Sequence, residues 1–145
     1  MILNIKPAAR YQTEDICALA DACDRDFFEE SMRGGLLTAV VTCDRAVKGV
    51  CVCSGSPIPD GCEITVLFID KEQRRKGIGR KLLSYALREM RSQRFTRAFI
   101  WIDENNTDAA GFITRFGFSF DGKERKVPSP DGSGMISEMR FRIDI

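Results

Sequence analysis

The chain contains no histidine, and this absence removes several kinds of active site at once. A histidine-ligated zinc ion is excluded, as is every triad in which histidine moves the proton. A general base in this chain therefore has to be a carboxylate, acting directly or through a water molecule.

Two further absences bear on the class of protein. None of the six cysteines forms a Cys-x-x-Cys pair, and no apolar run approaches the roughly 20 residues of a membrane helix. The N-terminus, Met-Ile-Leu-Asn-Ile-Lys-Pro, lacks the basic start and longer apolar stretch of a secretory signal. Since 145 residues can bury a core without disulfides, we expect one cytoplasmic domain over residues 1–145, with reduced thiols, no metal and no membrane contact.

A net charge of +1 conceals two unlike halves. Residues 1–72 carry 7 basic and 12 acidic side chains, whereas residues 73–145 carry 15 and 9. The basic second half indicates an anionic ligand. The acidic first half would repel phosphate backbones, so nucleic acid is not expected as a partner.

Hydrophobic patterning predicts a mixed sheet flanked by helices. Asp121-Gly122 is predicted to be a turn after a short strand, and Trp101 is interpreted as a core residue rather than a substrate platform. The predicted helices cover residues 13–22, 24–32, 78–90 and 107–116, and the predicted strands cover 37–43, 47–53, 63–69, 98–102, 118–120 and 135–143.

The richest local motif is a glycine turn between a strand and a helix, Arg74-Arg-Lys-Gly-Ile-Gly79. The first N–H groups of a helix have no partner inside the helix, and they carry the positive end of its dipole. Gly77 and Gly79 have no Cβ atoms to keep a ligand from these donors, and basic side chains surround them. A phosphate or pyrophosphate is the expected ligand.

Two common phosphate loops do not fit the motif. The nucleotide triphosphate loop requires Lys and then Ser or Thr after its last glycine, which neither glycine here has. The dinucleotide loop requires a third glycine, and Leu82 occupies that position. The pattern Arg-x-x-Gly-x-Gly instead resembles the cofactor motif of the GNAT superfamily of acyl-CoA-dependent N-acyltransferases.

Three other segments resemble that superfamily in the same order. Glu63-Ile-Thr-Val-Leu-Phe-Ile69 is similar to its fourth strand, and Trp101-Ile-Asp-Glu-Asn-Asn106 to its fifth strand with the asparagine that follows. Residues 109–118 resemble the next helix and its closing Gly-Phe. The resemblance implies a single-domain α/β (α+β) fold whose mixed, mostly antiparallel sheet has splayed central strands flanked by helices.

The resemblance also implies where acetyl-CoA would bind. Strand backbone would pair with the pantetheine arm, the amides of the glycine turn would hold the pyrophosphate, Asn106 would contact the arm, and Arg115 could reach the adenosine end. The implied cofactor-binding residues are Leu67, Phe68, Ile69, Arg74, Arg75, Lys76, Gly77, Ile78, Gly79, Arg80, Lys81, Asn106 and Arg115.

For catalysis, the resemblance implies that Glu63 is the general base, because it matches the glutamate of the histone-acetylating branch. Backbone N–H groups near Leu67 or Phe68 would polarise the acetyl carbonyl. Asp103 and Glu104 are alternative bases, while Ile113 stands where many members have a tyrosine that protonates the leaving thiolate. The residues expected near the acceptor are Asp24, Glu29, Glu30, Asp103 and Ile113.

The expected function is transfer of acetyl from acetyl-CoA to a primary amine by direct attack in a ternary complex. The acceptor, a small molecule or a peptide, stays open, and so does a homodimer. The alternative is a CoA-binding sensor or partner module with little or no turnover, and a basic nucleic-acid-binding domain is the third hypothesis.

Overall fold

The described residues form seven strands and four helices. The computed structural model describes residues 3–19, 25–74 and 76–145. The strands are β1 (Leu3–Pro7), β2 (Leu37–Cys43), β3 (Ala46–Gly55), β4 (Gly61–Ile69), β5 (Arg97–Asp103), β6 (Ser119–Pro128) and β7 (Met135–Asp144). The helices are α1 (Thr13–Leu19), α2 (Arg25–Gly34), α3 (Ile78–Ser92) and α4 (Thr107–Phe116), and single 3-10 turns cover Arg10–Gln12 and Lys71–Gln73.

All seven strands belong to one sheet, in the order β1-β2-β3-β4-β5-β7-β6. Strands β4 and β5 are parallel, and the other neighbouring strands are antiparallel. The predicted mixed, mostly antiparallel sheet is therefore confirmed. In the described part of the chain, none of the helices is both long and apolar enough to span a bilayer.

Helices cover the two faces of the sheet and divide the core into two clusters. Helices α3 and α4 pack on one face, where alternate strand residues such as Cys62, Ile64, Ile100 and Ile102 are buried. Helices α1 and α2 pack on the other face over the valines of β2 and β3. We call these the α3–α4 face and the α1–α2 face. The predicted apolar side of α3 is buried from Ile78 to Met90, as expected for an amphipathic helix.

The sheet departs from the sequence prediction at its two edges. Strand β1 was not predicted; it is short and pairs only with β2. Strand β6 continues through Asp121-Gly122 to Pro128, so the predicted turn was wrong. Gly122 has a φ of 89°, and the register with β7 shifts between Phe120 and Glu124, so the dipeptide forms a bulge within the strand. Most side chains of this edge strand are exposed, so it lacks the apolar alternation that indicates a strand.

Candidate active site

The two central strands separate partway along their length. Four pairs join β4 to β5, from Gly61 with Arg97 to Ile64 with Ile100, and the two strands are unpaired beyond that point. The register between β3 and β4 also shifts here, which leaves Thr65 as an extra residue in β4. The predicted splaying is confirmed, and it leaves a gap in the sheet with β4 backbone on one side and β5 backbone on the other.

The glycine turn lies at the same end of β4 and presents unpaired donors. Five successive N–H groups, from Lys76 to Arg80, have no acceptor among the described residues, and the first helical bond runs from Lys81 N–H to Gly77 O at 3.1 Å. Gly77 precedes the helix with a φ of 77°, which glycine adopts without the strain of other residues. The chemistry of the turn thus suits an anion at the start of a helix of 15 residues.

The two glycines of the turn have different roles. A Cβ atom on Gly77 would meet nothing within 4 Å, so this residue leaves open space beside the donors. A Cβ atom on Gly79 would lie 3.4 Å from Ile69 and from the Phe112 ring, on the core side of the helix. Gly79 thus faces the core, where a methyl group would be at ordinary contact distance, and only Gly77 leaves open space on the side of the donors.

Basic side chains surround the turn, but two of them already have protein contacts. The Nε of Arg74 donates to the carbonyl of Ile69 at 3.0 Å, and its guanidinium lies 5.5 Å from the centre of the Phe68 ring. The guanidinium of Arg80 lies 5.2 Å from the centre of the Phe116 ring. Lys76 and Lys81 are exposed, and Arg75 lies outside the described residues.

The predicted cofactor residues beyond the turn lie at α4. Asn106 caps this helix, because its Oδ1 accepts from the Ala109 N–H at 3.1 Å, and its side-chain amide keeps donors for a ligand. The guanidinium of Arg115 packs over Gly111 on the exposed side of α4. One of its terminal nitrogens lies 3.1 Å from the position that a Cβ atom on Gly111 would occupy. Contacts between α4 and the start of α3 keep these residues on the side of the glycine turn.

Glu63 lies in the last paired segment of β4, just before the strands separate. Its neighbours Cys62 and Ile64 point into the core below α3, so the Glu63 side chain points to the α1–α2 face. It is half-buried, and its carboxylate has no hydrogen bond or ion pair among the described residues. A carboxylate in this position can accept a proton from an amine that approaches the gap from the α1–α2 face.

The other expected acceptor-side residues are scattered. Asp24 lies outside the described residues. In α2, Glu29 accepts from the Nε of Arg25 at 3.2 Å, and Glu30 is exposed. At the end of β5, Asp103 accepts from the Asn105 N–H at 2.9 Å and so stabilises the turn before α4.

Two further residues bear on proton transfer, one as a candidate acceptor and one as an apolar side chain. The exposed Glu104 follows Asp103 and donates its N–H to the Ser137 carbonyl. Ile113 is buried in the core at 1% exposure and carries no group that could transfer a proton.

A cluster of arginines and aromatic rings that the sequence interpretation missed lies beside Glu63. Trp101 belongs to neither apolar cluster, so its interpretation as a core residue was wrong. It is half-buried on the α1–α2 face, with guanidinium groups from Arg125 and Arg140 over its ring. The alternation of β5 carried part of the signal, because Arg97 and Asp103 share the parity of Trp101, whereas Ala98, Ile100 and Ile102 point into the core below α3. The buried Phe99 also shares the parity of Trp101.

The thiols in the described part of the sheet are poorly suited to nucleophilic catalysis. Cys51, Cys53 and Cys62 are fully buried on the α3–α4 face. Burial raises the pKa of the Cys62 thiol to about 12, and a hydrogen bond from Cys51 together with burial raises the pKa of Cys53. The Cys53 and Cys62 thiols stay protonated near neutral pH, so an acyl-enzyme on either of them is disfavoured.

Comparisons with known proteins agree with this architecture. The family model described as Acetyltransferase (GNAT) family matches residues 6–118. No curated protein matches the sequence. Among solved structures, Ard1 from Thermoplasma volcanium has a TM-score of 0.85 at 18% identity, covering 100% of this chain and 99% of its own.

Two proteins of similar structure have names that specify an acceptor. The ribosomal-protein-S18-alanine N-acetyltransferase from Escherichia coli has a TM-score of 0.84 at 14% identity, covering 99% of this chain and 94% of its own. The ribosomal-protein-alanine N-acetyltransferase from Brucella melitensis has a TM-score of 0.83 at 19% identity, covering 98% and 99%. At these identities the likeness establishes the fold.

Proposed function

The chain belongs to the acetyltransferase (GNAT) family, an acyltransferase family, and from that premise we propose that it transfers acetyl from acetyl-CoA to a primary amine. The amine attacks directly in a ternary complex, and residues 1–145 act as one N-acetyltransferase domain. The observation that carries the proposal is the row of five N–H groups from Lys76 to Arg80, without an acceptor in the described part of the chain, beside the gap between β4 and β5.

The residues around the gap fit acetyl-CoA chemically. The unpaired amides and the exposed Lys76 and Lys81 suit a pyrophosphate, as the position of Arg75 in the sequence also does. The free edge of β4 at Leu67, Phe68 and Ile69 suits the amide groups of a pantetheine arm, with further donors from the Asn106 side chain. Arg115 would contact the adenosine end. Bound acetyl-CoA supplies the acetyl thioester.

Glu63 is the proposed general base. An alkylammonium has to lose a proton before it can attack, and the carboxylate of Glu63 stands on the α1–α2 face at the start of the gap. Asp103 and Glu104 are the alternatives, although Asp103 already accepts from the turn before α4. The N–H of Leu67 or Phe68 would stabilise the negative charge that develops on the acetyl oxygen.

The departing thiolate receives no proton from α4, because Ile113 is apolar and buried. A thiol with a pKa near that of free cysteine, about 8.5, leaves readily enough that a protein acid assists without being required. Solvent in the open gap would protonate the thiolate.

The acceptor is a small-molecule or peptide amine. Two proteins of similar structure are named as N-acetyltransferases that act on an alanine of a ribosomal protein. Peptide N-termini therefore belong among the acceptors to be tested. Glu29 and Glu30 on α2 add negative charge for a cationic acceptor, and Asp24 adds to it from sequence alone.

A CoA-binding module with little or no turnover is the second candidate, and the buried Ile113 is the observation that favours it. Two measurements separate the candidates. Acetyl-CoA should raise the melting temperature under both, because a ligand that binds only the folded state stabilises it. Release of free CoA thiol with peptide, polyamine and amino-acid acceptors should occur only for an enzyme. No thermal shift at millimolar acetyl-CoA would contradict both.

A further inference from the structure

The only tryptophan of the chain stands beside the point where the central strands separate. Ile100 makes the last pair with β4, and Ile100 and Ile102 point into the core below α3 and α4. Trp101 therefore points to the opposite face, at the first position of β5 beyond the paired segment. We propose that Trp101 binds the ammonium group of the acceptor across the gap from Glu63, an inference that rests on the proposed acetyl transfer.

Two ion pairs hold the indole ring in place. The guanidinium carbon of Arg125 lies 4.2 Å from the ring centre, and that of Arg140 lies 5.8 Å away. Arg125 bonds Glu138 at 2.8 Å, and Arg140 bonds Asp121 at 2.6 Å. The side chains of the second pair are only 19% and 13% exposed. The orientation of the ring is thus set before a ligand binds, which lowers the entropic cost of binding.

The arginines reach the ring from strands that lie on the side of β5 away from the gap, and the Arg140 guanidinium also lies 4.6 Å from the centre of the Phe99 ring. Strand β5 lies between β4 and β7, and Arg140 and Arg125 belong to β7 and β6. The proposal places the ligand on the side of Trp101 that faces β4, the side from which neither arginine strand approaches, in agreement with the partial exposure of the residue. An organic cation is attracted to the face of an indole ring more strongly than to that of any other side chain.

The charges at this point select a cation. The positive charges of Arg125 and Arg140 are each balanced by their own carboxylate partner. Glu63, on the facing strand, has no such partner among the described residues and lies on the same face of the sheet. An ammonium group between the Glu63 carboxylate and the Trp101 ring would contact the base that deprotonates it. A primary alkylammonium is therefore the ligand class, in preference to an anion or a neutral alcohol.

The fluorescence of Trp101 tests whether this residue binds an ammonium group, and the test needs no turnover. Trp101 is the only tryptophan in the sequence, so no other indole contributes to the signal. The full chain is titrated with n-butylammonium chloride and, separately, with n-butanol at matched ionic strength. We expect a saturable change with the ammonium alone, weakened by Glu63→Gln. Equal responses to both probes, or no response to either, would contradict binding of the ammonium group by Trp101. Neither result depends on acetyl transfer.

Kinetics with an accepted amine supply the second test. Trp101→Leu should raise the KM for the amine about tenfold and leave the KM for acetyl-CoA unchanged, whereas Trp101→Phe retains a π face and should lie between. Phe120→Leu, which alters an exposed ring of β6, is the matched control. An unchanged KM for the amine in Trp101→Leu would contradict binding of the ammonium group by Trp101, and it would not contradict the proposed acetyl transfer. Absence of thiol release in the wild type would refute the proposed function instead.

Discussion

Glu63 and Trp101 point to the same face of the sheet from the two strands that separate between them. Glu63 is paired in register with Phe99, two residues before Trp101, and the last pair of the two strands lies between these levels, at Ile64 and Ile100. A carboxylate and an aromatic ring thus flank the mouth of the gap. Under the proposed function, this arrangement would connect the binding of the amine to its deprotonation.

Glu63→Gln should lower kcat about 10²- to 10⁴-fold, because it removes the proton acceptor and keeps the shape of the side chain. The melting temperature should change little, since the carboxylate has no described partner to lose. The pH–rate profile at saturating substrates measures the effect, with Glu124→Gln, which alters an exposed carboxylate of β6, as the control. An unchanged rate and profile in Glu63→Gln would show that another group accepts the proton.

Alanine substitution should distinguish the two glycines of the turn. Gly77→Ala forces a side chain into the left-handed region and should lower the free energy of unfolding by about 1–2 kcal/mol. Gly79→Ala places its Cβ at ordinary contact distance within a helix and should be neutral or slightly stabilising. Urea denaturation measures both variants. Equal losses of stability would mean that the turn has a different backbone conformation from the one described.

Arg74→Ala should raise the KM for acetyl-CoA on the order of tenfold, because the hydrogen bond to Ile69 and the contact with Phe68 are both lost. Arg74→Gln keeps a donor and should restore part of the affinity. The effect should persist at high salt, unlike that of Lys81→Gln, whose exposed charge is screened. Arg88→Ala, on an exposed side of α3, is the control. A loss in Arg74→Ala that disappears at high salt would indicate direct contact with phosphate instead.

The free energy of unfolding should fall as the pH rises above about 9. The pKa of the Cys62 thiol is about 12 in the folded chain, whereas an ordinary cysteine thiol has a pKa of 9.0. The unfolded chain therefore releases this proton at a lower pH than the folded chain does. The stabilisation is complete below pH 9 and is lost as the pH approaches 12, with a slope of at most about 1.4 kcal/mol per pH unit for one group.

Other groups titrate in the same range, so the comparison with Cys62→Ala isolates this contribution. Denaturant midpoints across that range should show a shallower slope for the variant. Parallel curves for wild type and variant would contradict the raised pKa.

The amino-acid pattern predicted the parts of the fold that depend on local periodicity or on a glycine turn. Helix α4 has the predicted bounds, and its closing residue Gly117 has a φ of 133°, as expected for a glycine after a helix. The position of the glycine turn could be predicted because its motif consists of consecutive residues, Arg74 to Gly79.

The features that were missed depend on contacts between distant residues. Strand β1 exists through its pairing with β2, and the role of Arg74 depends on where the Ile69 carbonyl lies. The ring of Trp101 is held by two strands that come later in the chain.

Intact-mass analysis combined with thiol detection tests the proposed direct transfer most directly. The chain is mixed with acetyl-CoA alone, and a primary amine is added afterwards. With acetyl-CoA alone we expect neither free CoA thiol nor a gain in protein mass, because the Cys53 and Cys62 thiols are buried and have raised pKa values. Addition of the amine should release thiol in equal amount to the N-acetylated product. An acetylated chain before the amine is added, or no thiol release with any amine, would contradict direct transfer in a ternary complex.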